Sequence, residues 1–136
     1  MRNVIQPKRK DLEKPMVHKY WNGLKGGTLI RQFEMVKRSA SCGRRVADAL
    51  IILGGEHREL RGEYKPEDVV KGKRVVVVQA KTGRLGMYLM GQGVFSVGLM
   101  KRLKPKSVKS VMLCNQGDEA LEPLLARFGN VEAKVM

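Results

Sequence analysis

Two apolar runs dominate the hydropathy pattern of this chain, and each carries a polar residue that a strand interior disfavours. In "RRVADALIIL", alternation by two puts Val46, Asp48, Leu50 and Ile52 on one face and Ala47, Ala49, Ile51 and Leu53 on the other. Both faces are largely apolar, which predicts a central strand covered on each side. Asp48 is the anomaly within it, because a buried charge without partners is expensive. The second run, "KRVVVVQA", is the clearest strand in the chain. It ends in Gln79, Ala80 and Lys81, with Gln79 and Lys81 projecting from one face two residues apart.

The remaining elements follow from the same patterning. Residues 1–15 form a basic, flexible arm in which Pro7 and Pro15 mark irregular backbone. In "GGTLIRQFEMVKRSA", Leu29, Phe33, Val36 and Ala40 recur at helical spacing, which predicts a helix from about Thr28 with Glu34 beside its apolar stripe. "RSASC" reads as a short edge strand, and "GGEHRELRGEYKPEDVVKGK" as a polar, turn-rich insertion. After Lys81, Tyr88, Gln92, Phe95 and Leu99 share one helical face, while Leu85, Leu89, Met100 and Leu103 cover another. A helix apolar nearly all round is predicted to be buried. Its internal glycines, each costing about 1 kcal/mol against alanine, point to close packing. "KSVMLCN" predicts a strand, "GDEALEPLLARFG" a helix with Pro123 in its first turn, and "VEAKV" a last short strand. A strand meander followed by a helical crossover makes residues 16–136 a single α/β domain, its mixed central sheet flanked by helices in the order αβββαβ plus a C-terminal αβ.

Charge changes the picture. The chain has 136 residues, and 27 Lys and Arg against 13 Asp and Glu leave it at +14. Such a balance favours a polyanionic partner. The longest uncharged run, Leu85 to Met100, is 16 residues, short of the roughly 20 needed to span a bilayer, so no membrane role is expected. The basic N-terminus lacks the apolar segment of a secretory signal. Cys42 and Cys114 stand apart with no metal-type spacing, which suits a reducing compartment, cytoplasmic or nucleoid-associated. Cys114 reads as a small core residue, and His18 and His57 as surface residues without paired ligands.

On neighbouring strands, Asp48 and Gln79 bring an acid, an amide oxygen and the Lys81 ammonium to one end of the sheet. Hard oxygens of this kind suit Mg²⁺ or Mn²⁺, and a lysine nearby adds positive charge where negative charge grows on a phosphate. Arg44, Arg45, Lys71, Lys73, Arg74 and Arg84 flank this site in sequence and are candidates for gripping phosphates.

These residues resemble the PD-(D/E)XK nuclease superfamily. "ADALII" matches its strand-borne Asp, "VVVVQAK" its second half-motif, and Glu34 in "RQFEMVK" the acid many members carry on a first helix. Arg45 resembles the basic lead-in of resolvase-like members. The resemblance covers roughly Thr28 to Cys114 and implies a restriction-endonuclease-like core. It further implies a Mg²⁺- or Mn²⁺-dependent nuclease acting on phosphodiesters, DNA ahead of RNA, structure-selective or weakly sequence-specific. By that resemblance Asp48 is the principal metal ligand, with Gln79 and the Ala80 carbonyl as auxiliary ligands. Lys81 is the electrostatic helper, and Glu34 an outer or second-metal ligand. Tyr88 and Gln92 resemble residues that some members turn towards the site, although an aromatic on an apolar helix face is more often core. Gln79 replaces the usual acid, which removes one negative charge and lowers metal affinity. The chain leaves room for a homodimer straddling a duplex or junction. Two other readings stand beside the nuclease: a decayed nuclease fold that binds nucleic acid or a partner in a repair or recombination complex, and an RNA-binding protein whose Asp48 pairs with Arg44 or Arg45.

Overall fold

A computed structural model describes residues 9–136, with side chains from residue 12 onward. The elements are α1 (Arg9–Gly23), β1 (Thr28–Val36), β2 (Arg45–Ile52), α2 (Pro66–Val70), β3 (Arg74–Ala80), α3 (Met87–Lys101), β4 (Ser107–Cys114), α4 (Glu122–Leu125) and β5 (Val131–Val135). The strands lie in one sheet in chain order. β1, β2 and β3 form an antiparallel meander, and β3, β4 and β5 run parallel through the α3 and α4 crossovers. The predicted mixed sheet with helices on both faces is therefore observed.

The valine run explains the layering. Val76 and Val78 pack with Met16, Val17, Tyr20 and Trp21 of α1 on one face. Val75 and Val77 pack with Leu50, Ile30 and Met100 of α3 on the other. A strand with both faces covered needs apolar residues at every position, and β3 supplies them. The start of α3 extends the second layer, where Leu85 and Leu89 cover Met112 and Cys114. Trp21 fastens α1 to the sheet: its indole N–H donates to the Gly27 carbonyl at 2.8 Å and its ring stacks on His57 at 4.0 Å. His57 is otherwise exposed, as expected, whereas His18 is half-buried, edge-on to Trp21.

Several expectations are corrected. The segment from Thr28 is a strand, not a helix, and Glu34 stands on β1. Thr28, Ile30 and Val36 favour extended backbone, and β1 pairs with β2 over nearly its whole length. The helical spacing has a local cause. Gln32 adopts φ +51°, and beyond it Phe33, Met35 and Val36 all join the cluster of Ile30 instead of alternating. "RSASC" is no strand but a turn closed by the Ser39 N–H on the Cys42 carbonyl at 2.9 Å. The first helix is instead α1, which runs through Pro15, so the arm is helical from Arg9; residues 1–8 lie outside the described part. Helix α4 is a single turn with Pro123 in it, shorter than the pattern suggested. Finally, α3 is not buried all round, since Met87, Tyr88 and Phe95 are exposed.

Candidate functional site

The site forms where two strands part. The β2–β3 ladder ends at the pair Ala49–Val78, and the next position brings Asp48 opposite Gln79. Here side chains take over from the backbone. The Asp48 N–H donates to Gln79 Oε1 at 3.3 Å, and the Ala80 N–H donates to Asp48 Oδ2 at 2.7 Å. Buried backbone N–H groups need partners, so two polar residues inside apolar strands are what this divergence requires. That answers the anomaly of Asp48 structurally and leaves its second oxygen over. Oδ1 has no hydrogen bond or ion pair among the described residues. Burial pushes the Asp48 carboxyl above its ordinary range, and the Ala80 N–H draws it partly back.

Gln79 is 2% exposed, and its orientation is fixed from both ends. Its Oε1 faces β2, while Nε2 donates to Ser96 Oγ of α3 at 3.3 Å. Ser96 in turn donates to the Gln92 carbonyl one turn earlier. Ser96 was not among the residues picked out from sequence. A hydroxyl on the packed face of a glycine-rich apolar helix was the available signal. Lys81 follows β3 directly, held by its N–H on the Leu113 carbonyl at 3.0 Å. Its Nζ stands 5.2 Å from the centroid of the Tyr88 ring, a cation–π contact that places it on the α3 side with Gln79.

The other candidates scatter. Glu34 is half-buried and ion-paired with Arg44; no hydrogen bond or ion pair joins it to Asp48, Gln79 or Lys81 among the described residues. It lines a cavity with Lys37, Cys42, Tyr64, Lys65 and Arg102. Arg45 is exposed at the start of β2, three residues before Asp48. Arg84 is exposed between Lys81 and α3, its guanidinium 3.4 Å from the Gly117 carbonyl. Lys71, Lys73 and Arg74 do not flank the site in space. They sit at the opposite end of β3 from Ala80, about 20 Å away at roughly 3.3 Å per residue. Tyr88 is exposed, not core, and Gln92 is half-buried.

The donor set at Asp48 is one carboxylate and neutral oxygens. No group of three His, Cys, Asp or Glu side chains capable of holding an ion occurs among the described residues. Such a set fits Mg²⁺ or Mn²⁺, which use one or two carboxylates and keep several waters. It lacks the nitrogen and sulfur ligands that zinc prefers.

No protein-family model matches the chain, and no curated protein matches it. Among solved structures it is similar to a repair endonuclease from Pyrococcus abyssi, with a TM-score of 0.58 at 14% identity. The match covers 99% of this chain and 49% of that one, so the chain spans about half the length of that neighbour. At this identity the likeness is one of fold, and it agrees with a restriction-endonuclease-like core. No helix among the described residues is long and apolar enough to cross a membrane.

Proposed function

We propose that this protein is a Mg²⁺- or Mn²⁺-dependent nuclease that hydrolyses phosphodiester bonds of DNA at the divergence of β2 and β3, in the cytoplasm or at the nucleoid. One observation carries the reading: Asp48 and Gln79 meet across the open end of the strands, and the Asp48 carboxylate keeps one oxygen unengaged by the protein. The hydrogen bond that satisfies the Ala80 N–H uses Oδ2 alone, and Asp48 is in no ion pair among the described residues. Of the two partners expected for it in a simple RNA-binding protein, Arg44 is taken by Glu34, and Arg45 is exposed with no ion pair to Asp48 among the described residues.

Each residue then has a defined task. Asp48 offers Oδ1 as the anionic ligand, and Gln79 and the Ala80 carbonyl add neutral oxygens. Ser96 fixes which end of the Gln79 amide faces the site. Lys81 places a cation beside the phosphate, where charge grows in the transition state. Glu34 contributes negative charge one strand away, and acting as a ligand would require the Arg44 ion pair to open. When bound, a hard divalent cation supplies phosphate screening and an acidified water.

The test is cleavage of labelled duplex, branched and single-stranded DNA with Mn²⁺ or Mg²⁺. Wild type is expected to cut, and Asp48→Ala and Lys81→Ala to lose cutting while still binding. The lone carboxylate at the site favours a second reading, a decayed nuclease fold that only binds. Wild-type binding without cleavage in any divalent metal decides for that reading.

A further inference from the structure

Helix α3 presents an uncovered aromatic face beside the proposed site. Tyr88 is 71% and Phe95 74% exposed, among the most open large apolar side chains of the described residues. Seven residues separate them, so they lie on nearly the same face, about 10.5 Å apart along the axis at 1.5 Å per residue. Between them is Gly91, where an added Cβ would meet nothing within 4 Å. Packing does not explain that glycine. At Gly93, by contrast, a Cβ would lie 2.3 Å from Met112 Sδ, so Gly93 is required by the core. The open face is thus two rings with Gly91 and the half-buried Gln92 between them, and Gly91 leaves its side of that interval without a side chain.

Charge indicates what fills the gap. From Lys71 to Gly117 the chain carries ten Lys and Arg and no Asp or Glu. Arg84 is exposed before α3, and Lys101 and Arg102 are exposed at its end. Aromatic side chains set in a strongly basic surface are the usual means of holding unpaired nucleotides, since every base has a π-face and every phosphate a charge. The rise from Tyr88 to Phe95 matches three stacking intervals of about 3.4 Å, room for two bases between two rings. Tyr88 also joins this face to the site, because Lys81 Nζ lies over its ring.

We infer that α3 is a stacking platform for unpaired bases, with Tyr88 and Phe95 as its two rings. The substrate class follows: DNA with a single-stranded segment, as in a splayed arm or flap, in preference to a closed duplex. The inference rests on the nuclease reading only for where the scissile phosphate lies; base binding by α3 stands apart from it.

The experiment uses the full chain in EDTA, with oligonucleotides carrying 2-aminopurine in a single-stranded arm and, separately, within a duplex. Wild type is expected to change the fluorescence of the arm probe and not the duplex probe. Phe95→Ala should weaken arm binding roughly 5- to 150-fold, the range of one lost base–aromatic stack, while Phe95→Trp retains it. Gly91→Leu fills the gap with a better helix former, so it should raise Tm and still lose the fluorescence change. Equal arm affinity and an unaltered probe signal across these variants overturn the inference. So does a dimer that Phe95→Ala dissociates with no change in DNA affinity, which would give this face to a second copy. A stacking signal without any metal-dependent cutting supports this inference and counts against the nuclease reading. Asp48-dependent cutting without a stacking signal does the reverse.

Discussion

Placing a second acid at the proposed site, by Gln79→Glu, probes it more sharply than removing a residue from it. Gln79 is 2% exposed and gives its amide N–H to Ser96 Oγ, whose own proton is directed to the Gln92 carbonyl. An ionised carboxylate there meets a lone pair where it needs a donor, and it lies against Asp48. Leaving a buried charge uncompensated costs roughly 3–5 kcal/mol. At ~2.1 cal/mol/K per residue this corresponds to a Tm lower by about 10–17 °C for a chain of this length. Burial and the Asp48 charge both raise the pKa of the introduced carboxyl above its unfolded value. Its penalty is therefore absent at acid pH, where the protonated group can donate to Ser96, and grows as pH rises through the folded-state pKa. A divalent cation reverses the penalty, because two carboxylates now face it. At a thousand times its Kd a ligand returns about 4 kcal/mol. The assay is thermal unfolding of wild type and variant at pH 5 and pH 8, with and without Mn²⁺. A Tm deficit that is the same at both pH values and unmoved by Mn²⁺ refutes the cation site, whatever the activity.

The glycines of α3 predict opposite responses to one methyl group. Gly91→Ala is expected to stabilise by up to about 1 kcal/mol, whereas Gly93→Ala meets the buried Met112 and should lose roughly 1–3 kcal/mol relative to it, both read from urea unfolding. His18 gives the acid limb a component. Burial is the main cause holding its pKa below the usual value, so the stability it contributes is present above about pH 6.5 and falls as pH drops through the folded pKa. In His18→Gln this part of the acid loss should disappear, and a Tm difference from wild type that is flat between pH 5 and 7.5 refutes it.

Chain order and alternation alone indicated the sheet. Four consecutive valines cannot all be buried unless both faces of a strand are covered, and the following helix can reach another strand only by crossing over. The conflict of polar residues with apolar strands likewise marked Asp48 and Gln79. Where the sequence misled, local spacing had two solutions. Leu29, Phe33 and Val36 fit a helical stripe, yet the same spacing arises in a strand that Gln32 turns part-way along. The β-branched residues Thr28, Ile30 and Val36 lean towards a strand, but pairing with β2 decides the matter.

What the tertiary structure alone decided is which side chains meet. It set Asp48 and Gln79 across a gap in the ladder and brought in Ser96 from α3. It also gave Glu34 to Arg44 and carried Lys71 and Lys73 to the far end of β3. It uncovered Tyr88 and Phe95, since the apolar content of α3 exceeds what one sheet face can bury. Periodicity reports how a segment relates to itself. The identity of a neighbour 31 residues away depends on register and strand divergence, and these are fixed only when the whole sheet packs.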